Sequence, residues 1–293
     1  MHTAVPHGSG SVENDGVFSL SIVQEATRRA LANGTLQPIE TRTLLLDSDG
    51  VRFVVRAVSS LTRKDEARQA AAAADPLGDY DPALFVCDLG SSHYVLLNRF
   101  QLLAGHVLLV TRRFERQERL LTVEDFAALI TCLGEVDGLA FYNGGAEAGA
   151  SQPRKHLQLV PLPLATESPD DVPMERVLGG GDRLAFRHAF ERLTRQVTAP
   201  LLHDVYRELL RRCSISAAAA ADGEVHSAPY NLLVRRRWML VVPRSRACFG
   251  SISVNGLGFA GTLFVRSEED LERVRAVGPM QVLRAVAMPR DAA

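Results

Sequence analysis

Three apolar runs follow one another between residues 83 and 110, and they constrain the fold more than any other part of the chain. They read LFVCDLG, YVLLNRF and HVLLVT, and glycine and serine separate them. Each run is short and rich in the residue types that favour strands. The succession predicts an antiparallel meander.

Other segments add strands and helices to this meander. Strand patterns occupy residues 43–46 and 51–58, joined by Asp-Ser-Asp-Gly, and then LAFYN, HLQLVPLP, the pair PYNLLV and RWMLVVP, and LFV. Helical periodicity covers residues 18–36, with Asn33-Gly34 as a stop, and residues 184–210. Thr122 and Ser267, each followed three residues later by an aspartate, predict the starts of two more helices. Residues 59–81 are predicted to be a loop with a partly helical middle.

Composition excludes several classes of function. With 33 basic and 34 acidic residues the formal net charge is −1, so no overall field attracts nucleic acid. No apolar run reaches the roughly 18 residues of a membrane span, and the first fifteen residues lack the features of a signal peptide. Four cysteines lie far apart without a Cys-x-x-Cys pair, which predicts reduced thiols, no zinc site and a cytoplasmic location.

The segment FYNGGAEAGASQPRKHLQLVPLP, residues 141–163, carries the most chemistry. Side chains two apart on a strand share a face, so His156 and Gln158 point the same way. A neutral imidazole beside an amide is a candidate nucleophile toward phosphorus. Backbone N–H groups of residues 149–152 would bind an anion, with Arg154 and Lys155 adding charge. A single histidine on a strand is more often structural, so these features alone leave both interpretations open.

The same segment resembles the active-site motif of the diadenosine tetraphosphate phosphorylases, also called ATP adenylyltransferases. They belong to the galactose-1-phosphate uridylyltransferase branch of the histidine-triad (HIT) superfamily. The resemblance extends to LLNRFQLLAGHVLLVTRRFERQ before the motif, and to APYNLLVRRRWMLVVPRS and SVNGLGFAGTLFV after it.

This resemblance implies an α+β, HIT-like fold: a mainly antiparallel sheet from the N-terminal half, packed helices and a C-terminal segment closing the cleft. It also implies a division of the chain. The regions are a flexible leader at 1–16, a HIT-like catalytic region at 17–167, a linker and helical region at 168–224, and a C-terminal ATP adenylyltransferase region at 225–293.

The resemblance further implies that His156 is the nucleophile and forms a covalent adenylyl-histidine, which Gln158 steadies. An amide cannot act as an acid, which fits transfer to phosphate better than hydrolysis. By position in the motif blocks, the substrate-binding residues would be Lys64, Asn98, Arg99, Asn143, Gly149, Ala150, Ser151, Gln152, Arg154, Lys155, Asn255, Gly256, Leu257, Thr262 and Arg266.

One position departs from the family. Family members usually read Pro-His-Lys-His where this chain has Pro153-Arg154-Lys155-His156. A guanidinium holds a phosphate but does not shuttle a proton near neutral pH. We expect activity to survive with an altered preference for leaving group or acceptor.

The function implied is therefore nucleotidyl transfer: reversible phosphorolysis of diadenosine tetraphosphate to ADP and ATP. The partners would be these small nucleotides and phosphate, not nucleic acid or a membrane. No metal or cofactor would be bound by the protein, and a divalent cation, Mg²⁺, would arrive with the nucleotide. The alternatives are ADP-sulfurylase-type transfer of AMP to sulfate or phosphate, and an inactive nucleotide-binding sensor, toward which only Arg154 points.

Overall fold

The structure, a computed structural model, describes residues 17–58, 75–179, 184–194, 197–220 and 223–290. Its strands in chain order are β1 (Thr41–Ser48), β2 (Val51–Val58), β3 (Phe85–Leu89), β4 (His93–Leu97), β5 (Val107–Thr111), β6 (Gly138–Gly144), β7 (His156–Pro161), β8 (Ala189–Arg192), β9 (Ala217–Ala220), β10 (Gly223–His226), β11 (Tyr230–Arg235), β12 (Trp238–Pro243), β13 (Cys248–Phe249), β14 (Ile252–Ser253) and β15 (Thr262–Val265).

Eight of these strands form one antiparallel sheet in the order β3-β4-β5-β7-β6-β11-β12-β8. The predicted meander, β3 to β5, is one side of it. Strand β7 lies between β5 and β6, so the segment that carries His156 is central and is paired on both edges. A central strand has no free edge, and this fixes the backbone next to the histidine.

A smaller sheet joins the two ends of the chain. Strands β1 and β2 form a hairpin whose two-residue turn, Asp49-Gly50, has φ of 51° and 78°. Such a left-handed pair matches the twist of a tight hairpin. Strand β15 adds to β2 in parallel. Two short pairs, β9 with β10 and β13 with β14, complete the strands of the described residues.

The helices are α1 (Leu20–Ala32), α2 (Val123–Glu135), α3 (Ala199–Arg212), α4 (Glu268–Val277) and α5 (Pro279–Val286). Thr122 and Asp125 form the capping box expected at the start of α2, and Ser267 caps α4. No helix in the described part of the chain has an apolar stretch long enough to cross a membrane.

The large sheet separates two apolar cores. Helices α1, α2 and α3 cover one face, which we call the helical face; Tyr142, Leu157 and Leu159 point into its core. The other face, the C-terminal face, carries Phe141 and Val160 and is covered by the smaller sheet, α4 and α5. Alternation along β7 therefore assigns His156 and Gln158 to the C-terminal face.

The α+β, mainly antiparallel, HIT-like fold is confirmed, and so are the meander, both hairpins and the capped helices. Two expectations were wrong. Residues 184–210 are not one helix, because Ala189–Arg192 forms the edge strand β8 on β12 and the helix begins only at Ala199. The large sheet is not confined to the N-terminal half, because β11 and β12 extend it beyond β6.

Candidate active site

His156 is the first residue of β7, and its ring is nearly buried, with 4% of the residue exposed. Its Nδ1 lies 2.8 Å from the carbonyl oxygen of Arg154. A carbonyl oxygen only accepts, so Nδ1 must carry the proton and Nε2 must carry the lone pair. Nε2 has no partner within the described residues. The backbone thus selects the tautomer that a nucleophile needs.

Burial keeps this imidazole neutral. Desolvation lowers the pKa of His156 below its ordinary value of 6.5, although the hydrogen bond to the Arg154 carbonyl acts the other way. The ring therefore presents an unprotonated Nε2 at neutral pH.

Gln117 fixes the backbone around the histidine. Its Oε1 accepts from the backbone N–H of His156 at 3.0 Å, and its Nε2 donates to the carbonyls of Asn143 and His156 at 2.9 and 3.3 Å. The Tyr142 hydroxyl in turn donates to the Gln117 carbonyl. One buried amide thus links β6 to β7 where both strands reach the site.

Gln158 is held by a chain of hydrogen bonds. Its Oε1 accepts from Nε2 of His106 at 2.9 Å, and Nδ1 of His106 lies 3.1 Å from Nδ2 of Asn98. Nε2 of His106 therefore donates to Gln158, and its Nδ1 accepts from Asn98. The arrangement leaves the NH₂ group of Gln158 as a donor. Asn98 thus contacts Gln158 through His106.

The glycine-rich turn ends at Gly149, whose φ of 90° lies in the left-handed region. A Cβ there would lie 2.8 Å from the carbonyl oxygen of Val254, so the turn packs directly on the C-terminal loop. The N–H groups of Gly149 and Ala150 donate to carbonyls of Ala146 and Gly145. Within the turn expected to bind an anion, these two donors are already used. Ser151 and Gln152 stand at the more open rim.

Asn143 connects this turn to the C-terminal loop. Its Oδ1 accepts from Nδ2 of Asn231 at 2.8 Å and from the backbone N–H of Gly256 at 2.9 Å. These bonds orient the Asn143 amide so that its NH₂ group is the remaining donor. The structure therefore brings Asn143 and Gly256 together, and Asn255, which contacts Gly149, lies beside them.

Arg244 is the buried centre of this region, with 1% of the residue exposed. Its guanidinium donates to Oδ1 of Asn231 at 2.5 Å, and to the carbonyls of Ala148, Val254 and Val286 at 3.2, 2.9 and 3.2 Å. Burial lowers the pKa of Arg244 to about 10, which leaves it charged at neutral pH. One cation thus ties the turn to the loop after β14.

The structure places Lys155 differently from expectation. Because it alternates with His156, it points to the helical face, and its ammonium lies 2.8 Å from Asp125 and 2.6 Å from Glu115. With 1% of the residue exposed, this charge is matched inside the protein and does not add to an anion site beside His156.

Arg154 also differs from expectation. It is 7% exposed, and its guanidinium is bonded to Asp75 and to the carbonyls of Thr111 and Arg112. A phosphate-binding role was expected, but the donors of Arg154 are turned toward the protein.

The remaining residues expected to bind substrate lie in different parts of the structure. Arg99 lies by Thr35 and Asp81, 3.3 and 3.5 Å from their oxygens, and not with the cluster around Gln158. Leu257 packs in the core of the C-terminal face. Thr262 is fully buried at the first residue of β15, and Arg266 follows that strand. Lys64 falls outside the described residues. Substrate contacts at these positions stay predictions.

Sequence reasoning missed Gln117, Asn231, Arg244 and His106. The first three carry no motif of their own, and each acts on residues distant along the chain. His106 immediately precedes β5, and since Leu108 pairs with Gln158, the pairing of strands is the signal that places it. Across residues 17–58, 75–179, 184–194, 197–220 and 223–290, no group of three His, Cys, Asp or Glu side chains is arranged to hold a metal.

The chain is similar to known proteins along nearly its whole described length. The family model of the Ap4A phosphorylase N-terminal domain matches residues 12–180. The family model of the ATP adenylyltransferase C-terminal domain matches residues 182–289. Diadenosine 5',5'''-P1,P4-tetraphosphate phosphorylase 2 of Saccharomyces cerevisiae is 30% identical over 238 residues, covering 69% of this chain and 72% of that protein. Protein APA1 of the same yeast is 25% identical over 289 residues, covering 87% and 88%.

Solved structures share the fold of this chain. The crystal structure of yeast Ap4A phosphorylase Apa2 superimposes with a TM-score of 0.77 at 24% identity, covering 94% of this chain and 100% of that one. The complex of Apa2 with AMP gives 0.76 at 25% identity, covering 93% and 98%. Since one family model covers more than half of the sequence and a second covers nearly all the rest, the chain belongs to the Ap4A phosphorylase (ATP adenylyltransferase) family.

Proposed function

We propose that the protein catalyses the reversible phosphorolysis of diadenosine tetraphosphate to ADP and ATP, with AMP carried on His156. The observation that carries this proposal is the bond between Nδ1 of His156 and the Arg154 carbonyl, which leaves Nε2 as a free lone pair on the C-terminal face. Family membership supports it, and so does the yeast relative Apa2, whose structure was solved with Ap4A.

The reaction would proceed in two steps. The Nε2 lone pair attacks one α-phosphorus, a P–N bond forms, and the P–O bond to the rest of the polyphosphate breaks, releasing ATP with that electron pair. A phosphate oxygen then attacks the same phosphorus, the P–N bond returns its electrons to Nε2, and ADP leaves. Nδ1 keeps its proton throughout, because the Arg154 carbonyl holds it.

Gln158 favours phosphate over water as the acceptor. Its NH₂ group can donate to a phosphoryl oxygen, but an amide has no proton to transfer at neutral pH. An anhydride leaving group such as ATP needs no proton to depart. His106 sets the orientation of the amide, so the donor faces the side of the strand on which Nε2 lies.

Mg²⁺ would reach this site with its substrate. Divalent cations that serve polyphosphate chemistry are usually held by the phosphates and one or two carboxylates rather than by a protein cage. The site next to His156 consists of amides, backbone groups and an imidazole, which bind the phosphate chain and leave the cation to the nucleotide.

Competing acceptors separate phosphorolysis from transfer to sulfate. We expect isotope-labelled phosphate to appear in ADP when the protein acts on diadenosine tetraphosphate, and sulfate to compete poorly. Efficient formation of adenosine phosphosulfate in equimolar sulfate and phosphate would assign the sulfate reaction instead. Tight nucleotide binding with no product from either acceptor would support the inactive sensor.

The lowered pKa of His156 predicts the acid limit of the reaction. Nε2 must be unprotonated to attack, so the rate falls when pH drops through the pKa of the folded protein, which burial holds below 6.5. Single-turnover formation of the adenylyl-enzyme should therefore still exceed half of its maximal rate at pH 6.5. A half-maximal rate above that pH, with circular dichroism unchanged, would contradict the prediction.

Substitution of Gly149 by alanine tests the contact between the turn and the C-terminal loop. A Cβ there would meet the Val254 carbonyl at 2.8 Å and Cα of Asn255 at 2.9 Å, so we expect a several-fold rise in KM and a stability loss of about 1–2 kcal/mol. Gly34→Ala is the matched control, because φ is also positive, at 75°, and no atom lies within 4 Å of the new Cβ. Equal effects of both substitutions on KM would rule out the contact as the cause.

A further inference from the structure

The side chain of Arg154 makes a set of contacts that its position in the family motif does not account for. Nε lies 3.0 and 2.9 Å from the two carboxylate oxygens of Asp75, and Nη2 also bonds to that carboxylate. Nη1 donates to the carbonyls of Thr111 and Arg112 at 2.7 and 3.1 Å. Each of the three guanidinium nitrogens is therefore engaged within the protein.

The Asp75 carboxylate balances the positive charge of the Arg154 guanidinium. Hydrogen bonds from Arg154 lower the pKa of Asp75, so the carboxylate stays ionised at neutral pH. A phosphate approaching Arg154 would meet the negative charge of Asp75 and would have to displace the hydrogen bonds between the two side chains. Phosphate binding therefore does not explain the contacts of the Arg154 side chain.

The chain fits closely around the pair. A Cβ on Gly78 would lie 2.3 Å from Oδ2 of Asp75 and 2.7 Å from Nη2 of Arg154. The Gly78 N–H also donates to Oδ1 of Asp75 at 3.0 Å. Residues 75–78 thus form a cradle in which the carboxylate is oriented from two sides.

The backbone of Arg154 is the part that touches the nucleophile. Its carbonyl accepts the Nδ1–H of His156, and its neighbours are held by separate bonds: Pro153 O accepts from Gln117 N at 2.8 Å, and Lys155 N donates to Glu115 O at 2.7 Å. The loop of residues 115–117 therefore holds one side of this segment. The guanidinium of Arg154 holds the other side, to β5 and to Asp75.

We propose that the Asp75–Arg154 pair is a positioning device for the nucleophile: it holds the Arg154 carbonyl where it selects the Nδ1–H tautomer of His156 and aims Nε2. The inference rests on the proposed function for its kinetic consequences, but its structural part concerns the free enzyme. Arg154 replaces the family's histidine by acting through its own backbone, and it does not contact the substrate.

The variants that test this are Asp75→Asn, which removes the charge but keeps the shape, and Arg154→Met, which keeps an unbranched apolar stem but removes the guanidinium and its donors. We expect kcat and the adenylylation rate to fall on the order of 10²-fold while KM changes little, because a displaced nucleophile loses alignment and not affinity. Nitrogen-15 spectra of His156 in the substrate-free protein should show one Nδ1–H tautomer in the wild type and a mixture in the variants. The double variant should be no worse than Arg154→Met alone.

Asp88→Asn is the matched control, because Asp88 pairs with Arg112 on the exposed surface of the same sheet. It should leave the rates and the tautomer unchanged. A raised KM with unchanged kcat in Arg154→Met would make Arg154 a substrate ligand and overturn the proposal, as would an unaltered tautomer in Asp75→Asn. If the wild type forms no adenylyl-enzyme, the proposed function fails, yet the tautomer spectra still decide the positioning role. Should Arg154→Met not fold, Asp75→Asn alone decides between these outcomes.

Discussion

Replacement of His156 by alanine is expected to lower phosphorolysis on the order of 10⁴-fold or more, the largest effect of any single substitution in this chain. The reason is that His156 forms a covalent bond to phosphorus and does not only contact the substrate. Gln158, Asn143 and the turn can still bind the polyphosphate, so KM should change far less than kcat. Steady-state release of ADP from diadenosine tetraphosphate and phosphate measures both.

His203→Ala provides the control for this substitution. His203 lies on α3, where its ring centroid is 6.3 Å from that of Phe126, away from the C-terminal face. It should leave kcat and KM unaltered. If His156→Ala retained even one tenth of the wild-type kcat, covalent catalysis by this residue would be untenable.

Replacement of Arg244 by methionine should destabilise the fold by about 3–5 kcal/mol, the largest stability effect we expect. Methionine fills similar space but leaves Oδ1 of Asn231 and the carbonyl of Val254 buried without a donor. The carbonyls of Ala148 and Val286 lose the Arg244 donor and keep those of Asn231 and Ser245. Because the same bonds join the turn to the C-terminal loop, the variant should also bind nucleotide more weakly. Chemical denaturation and nucleotide titration measure the two effects.

Arg211→Ala is the control for charge removal. Arg211 is exposed and pairs with Glu208 one helical turn earlier, an interaction that solvent screens and that adds little to stability. Its midpoint of unfolding should match the wild type. An Arg244→Met variant as stable as Arg211→Ala would show that the buried network does not hold the site together.

The large-scale fold was predictable where local pattern and tertiary role agree. The runs that form β3, β4 and β5 are rich in apolar, strand-favouring residues, and β4 and β5 are buried inside the sheet. Thr122 with Asp125 caps α2 as its spacing indicates. The prediction for the segment before α3 was wrong because local pattern and tertiary role do not agree there. Ala189–Arg192 has no strong pattern of its own and becomes a strand through pairing with β12, which is distant along the chain.

The site shows the same division. Alternation along β7 was enough to place His156 and Gln158 on one face and Leu157 on the other. The same alternation implies that Lys155 faces the helices, where it pairs with Asp125 and Glu115. The expected role of Lys155 in substrate binding did not take this into account. The role of Arg244 could not be predicted, since it bonds to Ala148, 96 residues away. Contacts of that kind depend on strand order, which composition and spacing do not determine.

Mass spectrometry of the intact protein tests the central claim most directly. After brief exposure to diadenosine tetraphosphate without phosphate, the wild type should gain the mass of a single AMP, acid-labile as a phosphoramidate is, and lose it when phosphate is added with release of ADP. His156→Ala should gain nothing. A wild type that turns over substrate with no adduct, or an adduct of equal amount in His156→Ala, would contradict the account.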